Sequence, residues 1–197
     1  MKRIRMLFLA LAALFILSSC SGTEVSAEEF KQEASQVETK TYNSAVVTYK
    51  ATAKSGDVKV VSDWSYTFTN ENNAWSTTDK GANVQQALAF LEANVSNYDI
   101  ADESTPMDDF SQYGEYNITY YVKPFSMKLS VNFDYNGTIQ SSVTSIKGKM
   151  EIKVKFNDGG CLTEMAGSGD LKVSMNSGNV NGSYNIGYSI NLNITYK

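Results

Sequence analysis

The stretch FSMKLSVNFDYNG, residues 125–137, decides the fold. Phe125, Met127, Leu129, Val131, Phe133 and Tyr135 alternate with polar residues. A period of two marks an antiparallel strand with one buried face and one wet face. Asn136-Gly137 sits between two such runs and is the strongest short hairpin signal a sequence offers. The segment therefore predicts a sheet built from hairpins.

The same period extends outward in both directions. It recurs in Tyr116-Ile118-Tyr120-Val122, in Met150-Ile152-Val154-Phe156, in Leu171-Val173-Met175, and from Tyr184 through Ile186, Tyr188, Ile190, Leu192 and Ile194 to Tyr196. Upstream it begins near Tyr42. There Val58, Val60, Trp64, Tyr66 and Phe68 point one way, while Lys59, Asp63, Ser65, Thr67 and Thr69 point the other. Asn157-Asp158-Gly159-Gly160 and Asn179 to Gly182 read as further turns. Between Val143 and Ile146 the apolar parity changes from odd to even numbers. A β-bulge does this, and so does a turn around Lys147-Gly148-Lys149. Gly167-Ser168-Gly169-Asp170 reads as a turn leading into the strand at Leu171. Phosphate-cradling loops of similar composition instead lead from a strand into a helix N-terminus.

Two segments carry the helical period. Ser26-Ala27-Glu28-Glu29 is a capping box, and Phe30, Ala34 and Val37 follow on one helical face, predicting a helix that ends near Glu38 to Thr41. Val84, Ala87, Leu88, Leu91 and Val95 form a second stripe, preceded by Thr77, Thr78 and Asp79 as capping candidates. The expected fold is mainly β with some α: a curved antiparallel sheet or unclosed barrel of about nine strands. The N-terminal helix and the central amphipathic helix cover its concave face. A closed barrel or a two-sheet sandwich satisfies the same strand pattern. The aromatic row Trp64, Tyr66 and Phe68, with Val84, Leu88 and Leu91 of the helix stripe, either lines an apolar ligand cavity or fills an ordinary core.

At the N-terminus, Lys2, Arg3 and Arg5 precede an uncharged stretch from Met6 to Leu17. That run is too short to span a hydrocarbon core but suits the apolar region of an export signal. It ends in Leu17-Ser18-Ser19-Cys20, which resembles the lipobox of bacterial lipoproteins. The resemblance implies that the Cys20 thiol receives a diacylglycerol and that the signal is cut just before it. The expected organisation is a signal peptide over 1–19, a lipidated tether over 20–25 and a single β-rich domain over 26–197. Two or three acyl chains hold a protein stably on a bilayer, so the membrane is the first expected partner. The expected location is the cell envelope, facing outward from the cytoplasm. Ser21, rather than an aspartate, directly after the cysteine points to the outer membrane in a cell that has two.

Composition narrows the function. The chain contains no histidine, which excludes Ser-His-Asp and Cys-His catalysis, His-bearing zinc sites and a histidine pH switch. Cys161 is the only cysteine besides Cys20 and reads as an unpaired thiol with no base to activate it. From Cys20 onward the basic residues are 14 lysines against 21 acids, a net charge of −7. No arginine remains to grip phosphates, so nucleic acid is not an expected partner. Asp99, Asp102, Glu103, Asp108 and Asp109 lack EF-hand spacing and read as a solvated acidic loop rather than a Ca²⁺ site. No catalytic residue, metal site or cofactor is expected.

The order of a lipobox, a capped helix, strands, a central amphipathic helix and a long meander of strands resembles the LolA/LppX-type fold. That resemblance implies a twisted, unclosed antiparallel barrel wrapped around helices that plug its concave face. It rests on element order and patterning, and no binding residue carries over. The expected function is that of a non-enzymatic, lipid-anchored envelope protein binding an apolar ligand, a lipid or an acyl chain. The alternative is a protein-interaction module, an adhesin or an envelope-complex subunit, working through its exposed strand faces.

Overall fold

In the computed structural model, residues 22–100, 113–140, 143–177 and 180–197 are described. Nine strands and two helices follow one another in the order β1 (Thr23–Val25), α1 (Ala27–Ala34), β2 (Ser44–Ser55), β3 (Val58–Glu71), β4 (Ala74–Ser76), α2 (Val84–Glu92), β5 (Gly114–Val122), β6 (Ser126–Gln140), β7 (Val143–Phe156), β8 (Leu162–Ser177) and β9 (Val180–Tyr196). All nine strands belong to one antiparallel sheet in the spatial order β1-β5-β6-β7-β8-β9-β2-β3-β4. The end strands β1 and β4 do not pair with each other, so the sheet is unclosed. The closed barrel and the two-sheet sandwich are thereby ruled out.

Registers place the apolar residues in continuous rows on one face. One row runs Trp64, Tyr49, Leu192, Met165, Val154, Met127, Tyr120 and Val25, across eight strands. Leu192 and Val154 in that row are fully buried, as are Val47, Phe68, Leu129, Ile152 and Leu162 around it. The same core takes in Phe30 and Ala34 of α1 and Ala87 and Leu91 of α2. The opposite face carries cross-strand ion pairs such as Lys147–Asp134 (2.8 Å) and Lys128–Glu151 (3.0 Å). Solvent-exposed pairs of this kind contribute little to stability.

Local chemistry explains several element ends. Ser26 caps α1, its Oγ accepting from the Glu29 N–H at 3.2 Å. Phe30 then packs against the rings of Tyr120 (5.1 Å) and Phe125 (5.6 Å). In the β2–β3 turn, Gly56 supplies the positive φ of 57° that the first position of a type II′ turn requires. The β7–β8 turn is organised by Asn157, whose Oδ1 accepts from the N–H groups of Gly159 and Cys161, both at 3.0 Å. This turn lies where the sequence places it.

The structure corrects several local expectations and decides the alternative left open at Val143. The helix α1 stops at Ala34 rather than near Glu38, and Val37 follows it in the turn beyond, packed against Gly160. Thr23–Val25 is not part of a tether but forms β1, paired with Val122 to Tyr120. Asn136-Gly137 is not the hairpin turn: β6 continues through it, Asn136 faces Ser145, and Gln140 already faces Val143. The parity change at Val143 is a bulge, because β7 advances two residues from Val143 to Ser145 while β8 advances one; Gly148 lies inside the strand. Gly167–Asp170 lies in the middle of β8, and Asn181 and Gly182 already belong to β9. Finally, Thr77 and Asp79 do not cap α2, whose N-cap Asn83 makes no side-chain cap bond. They bind the backbone of Thr67 instead.

Candidate functional site

The sheet's apolar face divides at the row of Trp64 and Tyr49. Trp64 stacks on Tyr49 at 4.9 Å and on Tyr66 at 5.3 Å, so three aromatic rings form a shelf across β2 and β3. Large side chains fill the face on the Phe68 side of this shelf. On the other side, the next two rows carry small residues. The first runs Ser62, Ala51, Ile190, Gly167 and Ile152, and the second Val60, Ala53, Tyr188, Gly169 and Met150. Five of those ten positions are Ser, Ala or Gly, whose short side chains stand low on the sheet. The result is a trough across β3, β2, β9 and β8.

A hollow of about 230 Å³ lies in this trough, walled by Ala51, Ala53, Val60, Ser62, Tyr188 and Ile190. At roughly the 30 Å³ share of a water molecule per methylene, it takes about eight such groups. Its outer rim is apolar and open: Val60 is 64% exposed and Val58, one row further out, 67%. Tyr188 forms the inner wall. A Cβ at Gly169 would come within 2.6 Å of the Tyr188 ring, so the ring lies flat over that glycine and needs its missing side chain.

Two polar atoms on this face are buried without a hydrogen-bond partner, the Tyr188 hydroxyl and the Trp64 Nε1. Burial pushes the Tyr188 phenol up to about 12, so it remains a neutral donor at any physiological pH. Burial likewise raises the Tyr49 phenol above its ordinary value. Both unpartnered atoms are sealed within the protein, so what the trough presents is an apolar surface that suits a chain-like apolar molecule.

A second hollow of about 240 Å³ lies between α1, the segment after α2, and β5–β6, lined by Phe30, Ala34, Val95, Tyr98, Tyr120 and Met127 with Lys31, Ser96 and Asp99. Burial first, then the nearby Asp99 carboxylate, raises the Tyr120 phenol. Two wider depressions lie elsewhere on the sheet, both of mixed lining. One, of about 340 Å³, is walled by Lys54, Asp170, Gly187 and Tyr188; the other, of about 370 Å³, by Glu115, Tyr116, Val131, Asn132, Lys149 and Met150.

Of the residues singled out in the sequence, Tyr66, Phe68 and Leu91 are buried in the core. Trp64, Val84 and Leu88 are half-buried and pack against it. The trough lies beyond them, on small residues that apolar patterning does not highlight. Ala51, Ala53, Gly167 and Gly169 share the parity of their strands' apolar residues, and a run of small residues at alternate positions is the signal that marks them. Cys161 is buried, its Sγ against the carbonyl oxygens of Lys40 (3.5 Å) and Gly159 (3.6 Å), and burial raises its thiol above the ordinary value. Such a thiol is a poor nucleophile. Cys20, Asp102, Glu103, Asp108 and Asp109 lie outside the described residues. Among the described residues, no His, Cys, Asp or Glu cluster is arranged to hold a metal ion, and no helix is long and apolar enough to cross a membrane. No family model and no curated protein matches the chain.

Proposed function

We propose that this chain is a non-enzymatic, lipid-anchored protein of the cell envelope whose sheet holds an apolar ligand, a lipid or an acyl chain. The observation that carries the reading is the small-residue trough with its open apolar rim. Monomeric domains rarely leave such surface uncovered without a use for it. In this reading α1 and α2 cover the concave face from the Phe68 side, as in the LolA/LppX-type arrangement, and the ligand takes the uncovered end. The acyl chains on Cys20 hold the protein at the membrane, where its ligand is concentrated. The alternative, a protein-interaction module, draws support from the exposed valines of β3.

Titration with a fluorescent fatty acid tests the ligand site. Ala53→Phe fills the trough at a half-exposed position and is expected to weaken binding at least tenfold while leaving the melting temperature within a few degrees. Equal binding by both proteins would defeat the proposal. Labelled palmitate tests the anchor: the wild type incorporates it and Cys20→Ser does not. Incorporation by the Cys20→Ser protein would show that the lipobox reading is wrong.

A further inference from the structure

Among the described residues, the outer edge of β3 is open before Thr69 and regular. Strand β4 pairs only with Thr69 to Glu71. At Thr67 two side chains substitute for a strand: the backbone N–H donates to Asp79 Oδ2 at 2.8 Å, and the carbonyl accepts from Thr77 Oγ1 at 2.6 Å. Those bonds show which residues of β3 turn their backbone groups outward. The strand repeats every two residues, so Lys59, Val61, Asp63 and Ser65 also present N–H and C=O to this edge. Among the described residues no strand pairs with them. Natural sheets protect such an edge with shortness, proline, bulges or charge. Here β2 and β3 run through twelve consecutive pairs without a register shift, β3 contains no proline, and Val58, Val60 and Val61 are exposed.

We propose that this edge pairs with the same edge of a second copy of the chain, antiparallel about a two-fold axis through Val61. Charge selects both occupant and register. Lys59 lies directly opposite Lys54 on β2, an unfavourable like-charge pair, and among the described residues it makes no ion pair. Asp63 sits four residues away on the same face, with only an exposed contact to Lys50 at 3.3 Å. A two-fold axis at Val61 sets each Lys59 opposite Asp63 of the other copy, twice per interface. Axes at Lys59, Val60, Ser62 or Asp63 set no lysine opposite an aspartate, and those at Lys59 and Asp63 oppose like charges. The chosen register also brings the outward-turned residues of both strands face to face, as hydrogen-bonded antiparallel pairs require. Val61 meets Val61, and on the other face Val58 comes beside Trp64 of the second copy. The inference stands whether or not the trough binds a ligand.

The full chain, in membranes of its own cells and with Cys161→Ser as background, provides the test. Opposed residues of a hydrogen-bonded pair lie about 5.5 Å apart at Cα, within the range a disulfide bridges. Mild oxidation is therefore expected to cross-link Val61→Cys to itself. Ser65→Cys copies would lie eight positions apart, about 27 Å, and are expected to stay monomeric. In detergent-solubilised protein, Lys59→Asp or Asp63→Lys alone is expected to weaken dimerisation by roughly tenfold or more, and the double exchange to restore it to within about threefold. Should Val61→Cys unfold, as circular dichroism would reveal, the charge exchange alone decides. Equal cross-linking at both positions, cross-linking of Val61→Cys to a different protein, or no recovery in the double exchange would overturn the proposal.

Discussion

Replacing Leu91 with alanine removes three carbons from a position only 5% exposed, whereas Leu88, one turn earlier on α2, is half-buried against the same core. Alanine is at least as good a helix former as leucine, so both substitutions report packing rather than helix propensity. Leu91→Ala loses the transfer free energy of the side chain and leaves a cavity, about 2–5 kcal/mol together. Leu88→Ala loses roughly half the transfer term, about 1 kcal/mol, and solvent enters the gap. With a urea slope near ~2 kcal/mol/M, the midpoint should fall by about 1–2.5 M for Leu91→Ala and about 0.5 M for Leu88→Ala. Fluorescence of Trp64 and Trp75 follows the transition, since both pack against the core. A Leu88→Ala loss as large as that of Leu91→Ala, or a Leu91→Ala loss below about 1 kcal/mol, would refute the packing of α2 described here.

Three further outcomes follow from single residues. Cys161→Ser should leave both melting temperature and ligand binding essentially unchanged, and the wild-type thiol should react with a thiol reagent only on unfolding, because burial both shields it and raises its pKa; fast labelling of native protein would contradict this. Tyr188 has a folded-state pKa of about 12 against an unfolded value of 10.0, so the stability it confers is complete below pH 10 and is lost between pH 10 and about 12. The melting temperature should fall across that window, and less steeply in Tyr188→Phe; an identical slope in the variant would contradict the assignment. Gly148 has φ of 134° and lies so close to Asp170 that a Cβ would overlap its carbonyl oxygen, so Gly148→Ala should cost more than about 1 kcal/mol by denaturant unfolding, and a neutral result would put that register in doubt.

What could be read from the sequence was whatever alternating side chains declare. The strands around Met127, Ile152 and Leu192 were legible because large apolar residues repeat every second position, and the Ser26 cap because its hydrogen bond is local. The middle of β8 was not, since Gly167 and Gly169 occupy inward positions without side chains and so imitate a turn. Asn136-Gly137 carries a true local turn preference, but β6 absorbs it as an irregularity, its register shifting between Asn136–Ser145 and Gln140–Val143 before the strand ends. Thr77 and Asp79 have the chemistry of helix caps, and only the tertiary structure brings them to Thr67 instead. The trough was hidden for a related reason: it is made by the smallness of Ala51, Ala53 and Ser62, while patterning rewards size. The open edge of β3 depends on how little of it the end strand β4 covers, and strand pairing is not written in any single segment.

Native mass spectrometry of the full chain extracted from its own cells tests the central reading most directly. The wild type should carry a non-covalent adduct of fatty-acid or phospholipid mass, released by mild collisional activation that leaves any covalently attached acyl chain in place, and Ala53→Phe should lack that adduct. A wild-type protein with no adduct, or the same adduct on both proteins, would contradict the assignment of the trough as the ligand site.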